Sequence, residues 1–205
     1  MTPEVSIVVP TRNGIATLPA LVEALATQAD AAPRELVVVD SGSTDGTAEY
    51  AAAVADHVVT IPPAEFNHGA TRNLGLARAS GRFVVLTVQD ARPISGDWLS
   101  RLLAPLRADE RVAGAFARQV PHTGTTAVMC DQLARWVASR EAPRVVALDP
   151  DTFATLPPLE RLDRCAFDHV CAAIRRTAWE ALPFRAAPIA EDANDWIARY
   201  AAASC

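Results

Sequence analysis

The stretch that decides the fold is Glu35-Leu36-Val37-Val38-Val39-Asp40-Ser41-Gly42-Ser43-Thr44-Asp45-Gly46-Thr47. An apolar, mostly β-branched run, residues 36–39, ends on the carboxylate of Asp40. Such a run reads as a buried strand. A turn of small hydroxyl residues and glycine follows. Thr44 or Asp45 is then placed to cap a helix running through Tyr50 and Val54. Strand, acid, turn and helix in that order put a negative charge at the carboxyl edge of a sheet. In open α/β proteins that edge is where ligands bind.

The same alternation extends in both directions. Upstream, residues 5–9 read as a strand stopped by Pro10. Thr17 then caps a helix in which Leu18, Leu21, Val22 and Leu25 recur at helical spacing. Downstream, residues 58–61 read as a third strand and 70–79 as a helix, with Gly81 as its stop signal. Phe83–Thr87 is a fourth strand, and Trp98, Leu99, Leu102, Leu103 and Leu106 mark another helix. Residues 112–120 alternate like a strand. The pattern then loosens: residues 121–158 mix a helical segment near 132–137 with loop rich in Pro and Asp. Residues 170–174 read as a late strand, and 177–181 and 193–203 as helical. Strands alternating with helices predict an α/β fold with a mainly parallel sheet and right-handed crossovers. No internal repeat or separating linker divides the chain, so 1–205 reads as a single domain.

Composition narrows the classes. The 205 residues are half apolar with a formal net charge of −5, which is globular rather than disordered. An acidic balance with no basic stripe argues against a nucleic-acid partner. No apolar run is long enough to span a membrane. The N-terminus lacks the basic and apolar regions of a cleaved signal. Cys130, Cys165, Cys171 and Cys205 have neither metal-ligand spacing nor a CxxC pair and read as reduced thiols of a cytosolic protein.

Five places carry candidate chemistry, and each has an ordinary reading beside the functional one. After the first strand comes Pro10-Thr11-Arg12-Asn13-Gly14, with no GxGxxG and no GxxxxGK[ST]. Its ordinary reading is a strand-to-helix turn. Asp40 is a turn acid, or an acceptor for a base imide N–H or a ribose hydroxyl, since an ionised carboxylate only accepts. Asn67-His68-Gly69-Ala70-Thr71-Arg72-Asn73 opens a helix as a plain cap, or sets Arg72 and the first amides beside a phosphate. Asp90 follows the fourth strand at the same edge as Asp40. One such carboxylate suffices for Mg²⁺ or Mn²⁺ when a diphosphate supplies the other ligands. Glu191-Asp192 precedes a helix, either as favourable charge at its N-terminus or as a general base. His57, His122, His169 and Met129 read as structural.

Taken together these segments resemble family 2 glycosyltransferases of the GT-A fold. The carriers are Val5-Ser-Ile-Val-Val-Pro-Thr-Arg-Asn13, Val38-Val-Asp-Ser-Gly-Ser-Thr-Asp-Gly-Thr47 and Ala79-Ser-Gly-Arg-Phe-Val-Val-Leu86. Residues 65–73 with Thr87-Val-Gln-Asp-Ala91 resemble the rhamnosyltransferase branch, whose donor is dTDP-L-rhamnose. Residues 170–184 followed by Glu191-Asp192 resemble the family's acceptor-side segment. The resemblance implies a Rossmann-like sheet, with a nucleotide-sugar half over about 1–118 and an acceptor half over about 119–205. It implies donor contacts from Pro10, Thr11, Asn13, Asp40, Ser41, Arg72, Gln89 and Asp90. Asp90 would hold a divalent cation (Mg²⁺ or Mn²⁺), and Asp192, with Glu191 beside it, would be the catalytic base. The implied activity is inverting transfer of a sugar, L-rhamnose, to a growing polysaccharide or lipid-linked saccharide of the cell wall.

The chain departs from the family pattern in three ways. The usual Asp-x-Asp is Gln89-Asp90 in the rhamnosyltransferase-like form. Ser41 stands where many relatives carry a second acid. The sequence stops about one helix beyond Asp192, where relatives continue, so it reads as incomplete on the C-terminal side. Two rival readings follow. One is an inactive truncated fragment that at most binds nucleotide. The other is a nucleotidyltransferase, which would show a Gly-rich basic loop where residues 10–14 have one glycine and one arginine. The expected location is cytoplasmic, and a peripheral place at the inner membrane face suits a lipid-linked acceptor.

Overall fold

The computed structural model describes residues 2–147, 149–186 and 199. Its elements alternate through the first half: β1 (Val5–Thr11), α1 (Leu18–Ala26), β2 (Arg34–Asp40), α2 (Thr47–Val54), β3 (His57–Thr60), α3 (His68–Arg78), β4 (Phe83–Thr87) and α4 (Trp98–Ala108). The second half holds β5 (Gly114–Phe116), α5 (Ala127–Ala134), α6 (Pro150–Thr155), α7 (Pro158–Cys165), β6 (Cys171–Arg175) and α8 (Arg176–Ala181). One six-stranded sheet has the order β3-β2-β1-β4-β6-β5. The first four strands run parallel, and β6 lies antiparallel on β4 and β5.

Period-two alternation sends side chains to two apolar layers. Val5, Ile7 and Val9 of β1 and Phe83 and Val85 of β4 pack against Leu18, Leu21 and Leu25 of α1 and Leu99, Leu103 and Leu106 of α4. Val8, Val84 and Leu86 face the other way, against Leu76 of α3, Phe167, Ile174 and Phe184. A sheet covered on both faces explains why its strands read as continuous apolar runs.

The chain goes β1, β2, β3 in one direction and then crosses back to place β4 on the other side of β1. That reversal makes the carboxyl ends of β1 and β4 the switch point, where an open α/β sheet leaves a crevice.

Several expectations are corrected here. Pro10 does not stop β1 but pairs with Val39. Pairing with β4 has already ended at Val8, so Pro10 has a neighbour on one side only, and its missing N–H is tolerated as at an edge. The strand expected over 112–120 shrinks to Gly114–Phe116, because the Gln119 N–H turns away to bond Ala138 O at 2.7 Å. The helix expected near 132–137 lies earlier, at Ala127–Ala134. Gly46, at φ 95°, is the geometric cap of α2, while the Asp45 carboxylate accepts from the Thr47 N–H at 3.1 Å. The helix expected over 193–203 falls outside the described residues except at position 199.

Candidate functional site

The turns after β1 and β2 are laced together across the switch point. Asp40, 1% exposed, accepts four hydrogen bonds. The Thr11 hydroxyl (3.2 Å) and the Ser43 hydroxyl (2.5 Å) donate to one oxygen, and the Gly42 and Ser43 amides (3.1 and 2.9 Å) to the other. Asn13, at φ 46°, donates its N–H to the Ser43 hydroxyl and accepts from the Thr44 N–H. The Gly14 and Ile15 amides bond the Thr47 hydroxyl and the Asp45 carboxylate. Both turns are thereby held as one rigid rim.

Three of the expected donor contacts bond protein groups or are buried. Four donors use the acceptor capacity of a carboxylate, so Asp40 organises the rim instead of offering an open acceptor to a base. Ser41 is fully buried, with its hydroxyl unpartnered among the described residues, and presents nothing to a ligand. Gln89 is also engaged at both ends. Its Oε1 accepts from the Arg12 N–H at 2.9 Å, and its Nε2 donates to the Arg12 carbonyl at 3.1 Å. The amide lies so close over Gly14 that a Cβ there would collide with it. Gln89 ties the end of β4 to the end of β1.

Each residue at the head of α3 has a separate reason to be there. The Asn67 side chain caps the helix, accepting from the Gly69 and Ala70 amides. Gly69 is bare because the main chain at Arg185 passes over it, leaving no room for a Cβ. Asn73 reaches out of the helix: its amide donates to Phe184 O at 2.7 Å and accepts from the Phe184 N–H and the Trp179 indole. The chain that leads towards Glu191 and Asp192 is thus pinned over the start of α3. Glu191 and Asp192 themselves lie outside the described residues. Arg72 is buried, with its guanidinium donating to His68 O at 3.0 Å.

Between these parts opens a cleft of about 250 Å3, lined by Pro10, Thr11, Arg12, Phe66, His68, Arg72, Val88 and Gln89. Four of the sequence candidates, Pro10, Thr11, Arg72 and Gln89, meet there. A larger hollow of about 320 Å3 lies on the flank between α1 and residues 92–96. It is away from the switch point and is bridged by Gln28, which bonds Ser95 O and the Leu99 N–H.

Asp90 is exposed at the mouth of the edge. The His122 Nε2 sits 3.1 Å from its main-chain oxygen. Among the described residues, no group of three or more His, Cys, Asp or Glu side chains is placed to hold a metal. A single carboxylate suits a cation whose remaining ligands come from a diphosphate and water. The described donor set therefore fits an ion whose other ligands come from the substrate.

Two features escaped the sequence. His169 lies behind the cleft between Phe167 and Phe184. Burial first, then the charges of Arg72 and His68, push its pKa down to about 3, so the ring is neutral at ordinary pH. Asp168, buried, accepts from the Gln119 amide, the Trp136 indole and the Val170 N–H. It fastens the loop after β5 to the start of β6. Nearby residues do not signal these roles, because Gln119 and Trp136 for Asp168, and Arg72 for His169, lie tens of residues away.

The family model "Glycosyl transferase family 2" matches residues 6–182. The O-antigen chain rhamnosyltransferase WbaN of Salmonella anatum is 42% identical over 91 residues, 44% of this chain and 29% of the relative. The mannosyltransferase PcManGT from Pyrobaculum calidifontis, solved with GDP-Man and Mn²⁺, superposes with a TM-score of 0.60 at 24% identity, over 96% of this chain and 51% of that one. S. aureus TarS, solved with UDP, gives 0.64 at 19% identity, over 98% and 55%. The chain thus spans about half of these solved structures and less of WbaN.

Proposed function

The chain belongs to glycosyl transferase family 2, and on that premise we propose that it moves L-rhamnose from a nucleoside-diphosphate donor to a saccharide or lipid-linked acceptor, with inversion. The observation that carries this is the cleft at the β1/β4 switch point, with the buried Arg72 in its wall and the exposed Asp90 next in sequence to its lining residue Gln89. The rhamnosyl choice rests on the likeness to WbaN, which is a rhamnosyltransferase by its name.

Pro10 and Thr11 would flank the nucleoside, on a rim made rigid by Asp40, Asn13 and Ser43. Arg72 would bond the diphosphate, whose charge grows as the C1–O bond breaks. Asp90 would hold Mg²⁺ or Mn²⁺, which when bound supplies further neutralisation of the leaving group. The neutral His169 adds no charge to Arg72 and Arg12, the arginines of the cleft lining. Asp192, with Glu191 beside it, would take the proton from the acceptor hydroxyl as that oxygen attacks the opposite face of the sugar.

The test is a thermal-shift panel of dTDP, UDP and GDP, each with and without Mn²⁺. Stabilisation by dTDP above the others supports the rhamnosyl reading. A preference for UDP or GDP replaces the donor, and no response to any of them overturns the nucleotide site. Asp192→Asn should abolish transfer and leave dTDP binding intact. Loss of both together would remove the base assignment.

A further inference from the structure

We infer that Arg12 is a second cationic anchor for the donor diphosphate, positioned by Gln89, so that the cleft binds a nucleoside diphosphate without a divalent cation. This rests on the nucleotide-sugar reading given above.

Arg12, at the end of β1, lines the cleft together with Arg72. It is exposed, and no hydrogen bond or ion pair joins its guanidinium to another described residue. That sets it apart from the arginines that hold the fold together. Arg107 is paired with Glu4 and Asp30, Arg140 and Arg144 with Asp163, and the buried Arg175 with three main-chain carbonyls. A guanidinium free of protein partners and held at a concave edge is suited to a phosphate, which it can meet with two parallel N–H bonds.

The main chain of Arg12 is fixed more firmly than an exposed turn requires. Its N–H and its C=O are both bonded to the one Gln89 amide, across 77 positions of sequence. Only a side chain that accepts and donates can do this. A carboxylate at 89 would accept from the Arg12 N–H but could not donate to its carbonyl. It would also place a negative charge beside the guanidinium. The amide keeps the residue neutral, sets the direction in which Arg12 leaves the strand, and leaves neither of its own polar ends for a metal. Gly14 makes room for it.

The edge therefore carries positive charge on side chains, Arg12 and Arg72 both lining the cleft, with the exposed carboxylate of Asp90 next to Gln89. A cation held through Asp90 adds to this charge but is not the sole source of it.

The experiment is calorimetric titration of the full chain with dTDP and with UDP, in EDTA and in Mn²⁺. The wild type should bind in EDTA within about tenfold of its Kd in Mn²⁺. Arg12→Ala should weaken binding in EDTA roughly 10- to 100-fold, as expected for a lost charged hydrogen bond, and weaken it less in Mn²⁺. Arg12→Lys should restore part of the loss. Gln89→Glu and Gly14→Ala should each reproduce part of the Arg12→Ala loss in EDTA, although Arg12 is still present. Melting curves of all variants separate this from misfolding, and Gln89→Glu carries the test if Gly14→Ala does not fold.

Wild-type binding that appears only with Mn²⁺ overturns the inference and leaves the nucleotide site standing. Binding in neither condition overturns both. An Arg12→Ala variant that binds like the wild type in EDTA removes Arg12, and unchanged binding by the position 89 and 14 variants removes Gln89 as its positioning residue.

Discussion

The two edges of the sheet are both polar, and the cleft described above lies at the carboxyl one. At the amino edge, Glu35 accepts from the Ser6 hydroxyl at 2.5 Å, the Ser80 N–H at 2.6 Å and the Ser80 hydroxyl at 3.0 Å. The Gly81 N–H in turn bonds the Ser6 hydroxyl, and His57 lies 3.5 Å from the second Glu35 oxygen. That network closes on itself. At the carboxyl edge, Asp40 closes a similar network, but the same lacing leaves Arg12 and Arg72 beside a cleft. Polarity at an edge is thus a matter of holding turns in place. What distinguishes the carboxyl edge is the exposed guanidinium of Arg12, which has no hydrogen bond or ion pair to another described residue.

Four substitutions break or sharpen this contrast. Arg72→Met should weaken dTDP binding by roughly 100-fold, from the loss of charged hydrogen bonds. If calorimetry finds the affinity unchanged, the carboxyl edge loses its distinction. Glu35→Ala should lower stability by about 2–3 kcal/mol, since it strands buried hydroxyl and amide donors, while Kd for dTDP stays the same. Urea unfolding and calorimetry on one sample check both halves.

Asp40→Asn should cost about 1–2 kcal/mol, because an amide nitrogen would face donors where the carboxylate accepted four bonds. Binding should weaken only several-fold, as the rim loosens. A loss as large as that of Arg72→Met would restore Asp40 as a direct contact.

The smallest effect is on pH dependence. Burial alone would raise the Glu35 pKa, but the Ser6 and Ser80 bonds and the nearby His57 hold it below its usual value of 4.5. A carboxyl lowered in the folded state stabilises at pH above that value, and the benefit disappears as pH falls through the folded pKa. The stability gap between wild type and Glu35→Gln should therefore be constant near neutral pH and shrink below about 4.5. A gap that grew with acid would mean the folded carboxyl titrates higher.

Much of the fold was legible because it follows from local pattern. The β-branched runs, the helical spacing of Leu18, Leu21 and Leu25, and the residues from Asn67 to Asn73 each act within a few positions. What stayed hidden depends on distant partners. Pro10 could not be placed inside β1 without knowing that β4 stops pairing at Val8. The strand over 112–120 was overestimated because Ala138, which draws Gln119 away, is far along the chain. His169 and Asp168 looked ordinary for the same reason.

By itself the sequence determined the mainly parallel, helix-flanked sheet and the segments that carry the family likeness, and it pointed to the carboxyl edge as the place to look for chemistry. Those rest on periodicity and short-range turn chemistry, which neighbours in sequence can encode. The tertiary structure alone decided which polar groups bond one another and which line the cleft. Asp40 and Gln89 are taken up in bonds within the protein and Ser41 is buried, whereas Arg12 and Arg72 line the cleft. The reason is that a hydrogen-bond donor or acceptor is satisfied by whatever lies within about 3 Å of it, and the Thr11 partner of Asp40 and the Arg12 partner of Gln89 come from 29 and 77 residues away.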